Sequence, residues 1–240
     1  MSKVGQESRV NIRWGKEQLD LIKYTAKQMG VPYQTYIKQT VFRQALGDLN
    51  IAENNRYQDY CREEIKTALL TRAKSFYNTG QFELALTDYA QCLKIDPSEK
   101  MAYYGRAKVL RNTKRHKESI KECSKLIKMH PDFDGGYQVR AHNYEELGQY
   151  EKAIADYAEV IKHGNEYGGY MNRADLYRRL EKFERAIADY SSAISYLPTD
   201  PDAFASRAIV YETIGEGEKA SADQEKVLQL KKKILELGSK

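Results

Sequence analysis

Arg9, Asn11 and Arg13 stand at every second position of the stretch RVNIRWG, with Val10, Ile12 and Trp14 between them. A period of two is that of a strand, so the polar row shares one face and the apolar row the other. The chemistry such a row could do is base reading. Arg makes paired hydrogen bonds to guanine and Asn to adenine in the major groove of double-stranded DNA, which admits a two-stranded ribbon. A lone strand leaves its backbone donors and acceptors unsatisfied, so it must pair with a second copy of itself. Two copies form an antiparallel ribbon that carries Arg9, Asn11 and Arg13 six abreast and turns the apolar row onto a shared core.

A second set of paired groups runs through the rest of the chain. An Arg-Ala pair recurs at 72/73, 106/107, 140/141, 173/174 and 207/208. Each Arg is followed 16 residues later by an acid, giving Arg72/Asp88, Arg106/Glu122, Arg140/Asp156, Arg173/Asp189 and Arg207/Asp223. An antiparallel helical hairpin brings such positions together, so the spacing predicts a ladder of ion pairs that fixes packing register. Nothing points to catalysis: His116, His130, His142 and His163 occupy unrelated repeat positions, and no nucleophile, base and orienter combination appears. Cys61, Cys92 and Cys123 make no CxxC pair, so no metal site, disulfide or cofactor is expected, and all three read as core.

The elements that position these groups follow from periodicity. Behind each Arg-Ala pair come an aromatic or aliphatic residue (Phe76, Leu110, Tyr144, Tyr177, Tyr211), a turn, and a small residue (Ala85, Ser119, Ala153, Ala186, Ala220). Pro97, Pro131 and Pro198 close three of the units. A 34-residue period of this kind resembles the tetratricopeptide repeat, in five copies at about 66–99, 100–133, 134–166, 167–200 and 201–230. QYEKAIADYAEV and KFERAIADYSSA are its clearest second helices. The resemblance implies an α-α solenoid whose first helices line a groove for a protein or peptide. Groove positions carried over from the family are Leu70, Lys74, Tyr77 and Asn78 in the first repeat and Tyr104, Lys108, Arg111 and Asn112 in the second. The third offers Gln138, His142, Glu145 and Glu146, the fourth Met171, Asp175, Arg178 and Arg179. Read by charge, the first two repeats are basic and the third acidic. The Asn members of the set that grips chaperone tails are missing where Lys74 and Lys108 stand, so that role is not expected. After the last repeat, Val227, Leu230, Ile234 and Leu237 fall on one stripe that would cap the solenoid.

In front of the repeats, Leu19, Ile22, Ala26 and Met29 have helical spacing up to Gly30, and a second helix starts near Pro32. Strand, helix, helix within 50 residues resembles the Arc-like ribbon-helix-helix family of dimeric DNA-binding proteins. That resemblance makes Arg9, Asn11 and Arg13 the base readers and the backbone amides of Tyr33 and Gln34 a phosphate clamp. The charge agrees: residues 1–50 carry eight Lys or Arg against four acids, which is +4 of the net +5.

The expected fold is thus mostly α. A ribbon-helix-helix head (1–50) is followed by a linker helix (51–65) and a five-hairpin solenoid (66–240). The expected function is a homodimeric DNA-binding regulator, a repressor, whose solenoid binds a protein or peptide. The alternative is an interaction scaffold or antitoxin whose head mainly dimerises. No apolar run approaches the roughly 18 residues of a membrane span, and MSKVGQES lacks the apolar core of a secretory signal, so a cytoplasmic protein is expected.

Overall fold

The computed structural model describes residues 51–238, with side chains from Arg62 to Glu236, and of the preceding residues only Lys23 and Lys27, both helical and exposed. Arg9, Asn11, Arg13, Tyr33 and Gln34, with the expected strand and dimer contact, lie outside the described residues.

Ten helices run through the described part: α1 (Ile51–Asn78), α2 (Phe82–Ile95), α3 (Lys100–Asn112), α4 (His116–Met129), α5 (Asp134–Glu146), α6 (Tyr150–Lys162), α7 (Glu166–Arg179), α8 (Phe183–Tyr196), α9 (Pro201–Thr213) and α10 (Gly217–Gly238). The chain divides into two compact units between Arg72 and Ala73, inside α1. In the second unit the helices form antiparallel hairpins, and each second helix also packs on the first helix of the next hairpin.

One turn geometry makes all five hairpins. The residue after each first helix's cap adopts left-handed φ: Gly80 at 75°, Gly148 at 68° and Gly215 at 80°, but also Lys114 at 59° and Glu181 at 56°. That conformation lets the next amide reach back and satisfy a carbonyl the helix end would leave bare. Gln81 N–H donates to Phe76 C=O at 2.8 Å, Arg115 to Leu110 at 2.8 Å, Gln149 to Tyr144 at 2.8 Å, Lys182 to Tyr177 at 2.9 Å and Glu216 to Tyr211 at 2.8 Å. The acceptors are the residues that repeat behind each Arg-Ala pair. The third hairpin has no closing Pro; Gly164 at φ 95° ends it instead, with Asn165 N–H donating to Val160 C=O at 3.2 Å.

Small residues set how close the helices lie. Ala107, Ala141, Ala174, Ala85, Ala153 and Ala186 are fully buried, and Ser119 holds the same place in α4. The core comes in overlapping clusters. Ala107 and Cys123 meet Val139 of the following hairpin; Ala141, Ala153 and Tyr157 meet Leu176; Ala174, Ala186 and Tyr190 meet Val210. A single hairpin could not bury this face, so stacking supplies the core. At the far end the α10 stripe departs from expectation. Val227 is half-buried and Leu230 buried, but Ile234 is 53% exposed. Among the described residues no further helix follows to receive it, so the cap ends with Leu230 and α10 continues past the stack.

Candidate functional site

Three rungs of the expected ladder close as two-point forks. Arg140 reaches Asp156 at 2.8 and 2.7 Å, Arg173 reaches Asp189 at 2.8 and 2.9 Å, and Arg207 reaches Asp223 at 2.8 Å through both nitrogens. Sharing protons with a carboxylate holds each of these guanidinium pKa values above its usual range. Arg140 also lies between the rings of Tyr137 and Tyr144, and Arg207 between Phe204 and Tyr211. Two of the forks reach one helix further: Arg140 donates to Ser124 Oγ at 3.3 Å and Arg207 to Ser191 Oγ at 2.8 Å, each on the preceding hairpin. Ala90 and Ala158 stand at the matching sites, two residues after Asp88 and Asp156. The Arg106 rung differs. Glu122 is one methylene longer, the approach is 3.5 Å, and Arg106 Nε and Glu122 Oε2 are both buried without a hydrogen bond. These contacts are structural, as their spacing within each hairpin implies.

The groove candidates sit along the first helices. Lys74 and Asn78 are exposed on the last turns of α1. Lys108 Nζ lies 4.9 Å from the centre of the Tyr77 ring and 5.4 Å from that of Tyr104. Asn112 donates to Tyr77 Oη at 3.0 Å, tying the first two hairpins together on this side. Tyr77, Tyr104, Lys108 and Asn112 are thus brought into one aromatic and basic cluster.

Further along, one of the two acids read from the third repeat is cancelled by contacts no linear spacing reveals, while Glu146 stays exposed. Glu145 accepts from the Tyr157 hydroxyl and pairs with Arg179 of the next hairpin, leaving its side chain 10% exposed. In the fourth, Asp175 accepts from Tyr190 Oη at 2.6 Å and lies 3.5 Å from Arg178. Burial pushes the Tyr157 and Tyr190 phenols well above their usual pKa, and the hydrogen bond to Asp175 adds to the effect at Tyr190. The face therefore keeps the positive charge of Lys74, Lys108 and Arg111 while Glu145 and Asp175 are internally balanced.

Beside that cluster is a depression of about 370 Å³ lined by Arg111, Asn112, Lys114, His116, His142 and Glu146. Two histidines that looked unrelated in the sequence meet here, because the left-handed turn at Lys114 returns the chain to α4 beside α5. A buried relay holds the first: His116 Nδ1 is 3.0 Å from Asn143 Oδ1, and Asn143 Nδ2 donates to Ser119 Oγ at 2.9 Å and to Val139 C=O at 2.6 Å. Ser119 in turn donates to Ala107 C=O at 2.7 Å. The signal for this relay was the polar pair Ser119 and Asn143 at positions that are Ala, Val or Leu in the neighbouring hairpins. Among the described residues, no group of three or more metal-ligating side chains occurs.

Family models for the tetratricopeptide repeat match residues 70–132, 135–162 and 174–215. The part of the chain that these matches cover is a tetratricopeptide-repeat domain. No curated protein matches the sequence. Among solved structures, a crystal structure of MamA has 19% identity and a TM-score of 0.61, covering 68% of this chain and 96% of its own. TTC0263, a thermophilic tetratricopeptide-repeat protein of Thermus thermophilus, has 22% identity and a TM-score of 0.54, covering 72% and 95%. YrrB, described as a tetratricopeptide-repeat protein with an unusual peptide-binding site, has 18% identity and a TM-score of 0.54, covering 68% and 84%. These likenesses establish the tetratricopeptide fold. No helix among the described residues is long and apolar enough to cross a membrane.

Proposed function

We propose that the chain is a non-catalytic interaction scaffold whose tetratricopeptide groove holds an acidic peptide segment of a partner protein. The observation that carries this reading is the cluster in which Lys108 lies against Tyr77 and Tyr104, with Arg111, Asn112, Lys74 and Asn78 along the same helices. Basic side chains held by aromatic rings suit carboxylate-bearing ligands. The fold shared with YrrB, described as having a peptide-binding site, supports the same use. The test is fluorescence anisotropy of the full chain with labelled acidic and basic peptides. Acidic peptides should bind, Lys108→Ala should weaken them about tenfold, and preference for basic peptides would overturn the reading.

A second reading concerns the head. The RVNIRWG row favours a ribbon-helix-helix dimer over residues 1–50 that presents Arg9, Asn11 and Arg13 to double-stranded DNA, with the amides of Tyr33 and Gln34 on phosphate. A connecting helix (51–65) would carry the solenoid (66–240), and the whole would act in the cytoplasm as a regulator. Replacing Arg13 with Ala should cost about 1 to 3 kcal/mol in operator binding if it reads a base. Equal binding of wild type and variant to random DNA would leave the head with dimerisation alone.

A further inference from the structure

We propose that the depression lined by Arg111, Asn112, Lys114, His116, His142 and Glu146 anchors a carboxylate of the bound peptide and takes up a proton as it does so. The inference rests on the peptide-binding reading and gives it a place and a chemical trigger.

The lining comes from three elements and is rich in donors. Arg111 and Asn112 end α3, Lys114 holds the left-handed turn, His116 begins α4, and His142 and Glu146 lie on α5. Glu146 is the only acid among them.

The histidine tautomers follow from their partners. Asn143 uses its amide nitrogen to donate to Ser119 and Val139, so its oxygen accepts, and His116 Nδ1 must carry the hydrogen it offers there. His142 Nδ1 is 2.7 Å from Gln138 C=O and must also carry hydrogen. In His142, Nε2 is therefore the nitrogen left to titrate. Unprotonated, it presents a lone pair; protonated, it adds a charged N–H to the set a carboxylate can use.

His142 resists protonation while the site is without an anion. Burial holds its pKa below the ordinary imidazole range, and the charges of Arg111 on α3 and Arg179 on α7 push the same way. The hydrogen bond to Gln138 and the charge of Glu146, both on α5, act in the opposite sense. The Tyr157 ring of α6 stands edge-on to the imidazole at 5.7 Å. His116 and Lys114 complete the neighbouring charges and titratable groups. A carboxylate set among these cations offsets their repulsion and favours the imidazolium, so binding draws in a proton. Affinity then rises as pH falls below the ordinary imidazole range, by up to about tenfold per pH unit for one proton.

The full chain is titrated at pH 7.5 and pH 5.5 with two labelled probes, an amidated hexaglutamate and a Gly-Ser hexapeptide with a free C-terminus, while the histidine Cε1–H resonances are followed by NMR. At least one probe should bind more tightly at pH 5.5, with the His142 resonance titrating at higher pH when it is bound. Which probe does so tells a side-chain carboxylate from a chain end. His142→Gln should keep residual binding but lose the pH dependence. Lys114→Ala, an exposed turn change, should weaken binding at both pH values. Binding that is independent of pH, insensitive to both variants and lost in Lys108→Ala would overturn the anchor and leave the groove reading standing. If neither probe binds, acetate decides: an upward shift of the His142 titration that disappears in Lys114→Ala keeps the anchor without the peptide reading, and no shift overturns both.

Discussion

Asn143 occupies a place that is Val109, Leu176 or Val210 in the neighbouring hairpins, and it is fully buried. A polar amide survives there only because Ser119 and Val139 take its hydrogens and His116 its oxygen. Ser119→Ala removes one acceptor and leaves a buried N–H without a partner, so it should destabilise the domain by about 1 to 3 kcal/mol in urea unfolding. The double variant Ser119→Ala with Asn143→Leu restores the arrangement of the other hairpins and should recover most of that loss. If the double variant is no better than the single one, the relay does not account for the burial of Asn143. Cys123, fully buried and with burial pushing its thiol up to about 12, should resist thiol reagents until the chain unfolds, as peptide mapping after labelling would show.

At the scale of the element, the turns bear most of the fold. Gly80, Gly148 and Gly215 take left-handed φ without a Cβ, whereas Lys114 and Glu181 hold it against steric cost. Lys114→Gly and Glu181→Gly should each raise stability by about 0.5 to 1 kcal/mol, the relief exceeding the added chain entropy. A fall in the urea midpoint would mean that these side chains contribute more than their backbone costs. The same turns explain what was legible in the sequence. Hairpins, Arg-acid rungs and small contact residues all lie within one repeat and recur, so a period exposes them. The pairing of Glu145 with Arg179 and the meeting of His116 with His142 cross from one hairpin to the next. They involve residues that differ between repeats, so no period announces them. The α10 stripe was legible as amphipathic, but where its neighbour ends is a property of the stack, and that decides where burial stops.

For the molecule as a whole, several protons are held more tightly folded than unfolded. Cys123, Tyr157 and Tyr190 are all raised, chiefly by burial. Below the unfolded thiol and phenol values, about 8.5 and 10, both states keep these protons and stability is intact. As pH rises past them the unfolded chain ionises first, and stability is lost toward the folded values. His142, lowered, works on the other flank: its contribution is present above the usual imidazole value of about 6.5 and lost as pH falls through its folded value. The unfolding free energy from urea titrations should therefore be level near pH 7 to 8 and lower at pH 10.5 by about 2 kcal/mol or more. A flat profile up to pH 11 would contradict the burial of these groups.

The cross-links between hairpins differ from junction to junction. Tyr77 with Asn112 fastens the first junction, and Glu145 with Arg179 the third, both on the groove side. Arg140 with Ser124 fastens the second, and Arg207 with Ser191 the fourth, each a first-helix arginine reaching the second helix of the hairpin before it, and at the second junction Asn143 with His116 and Ser119 adds to the hold. A guest that spreads the groove therefore strains the first and third junctions directly, where the ties join one first helix to the next, whereas the ties at the second and fourth run back to a second helix and lie off that line of load.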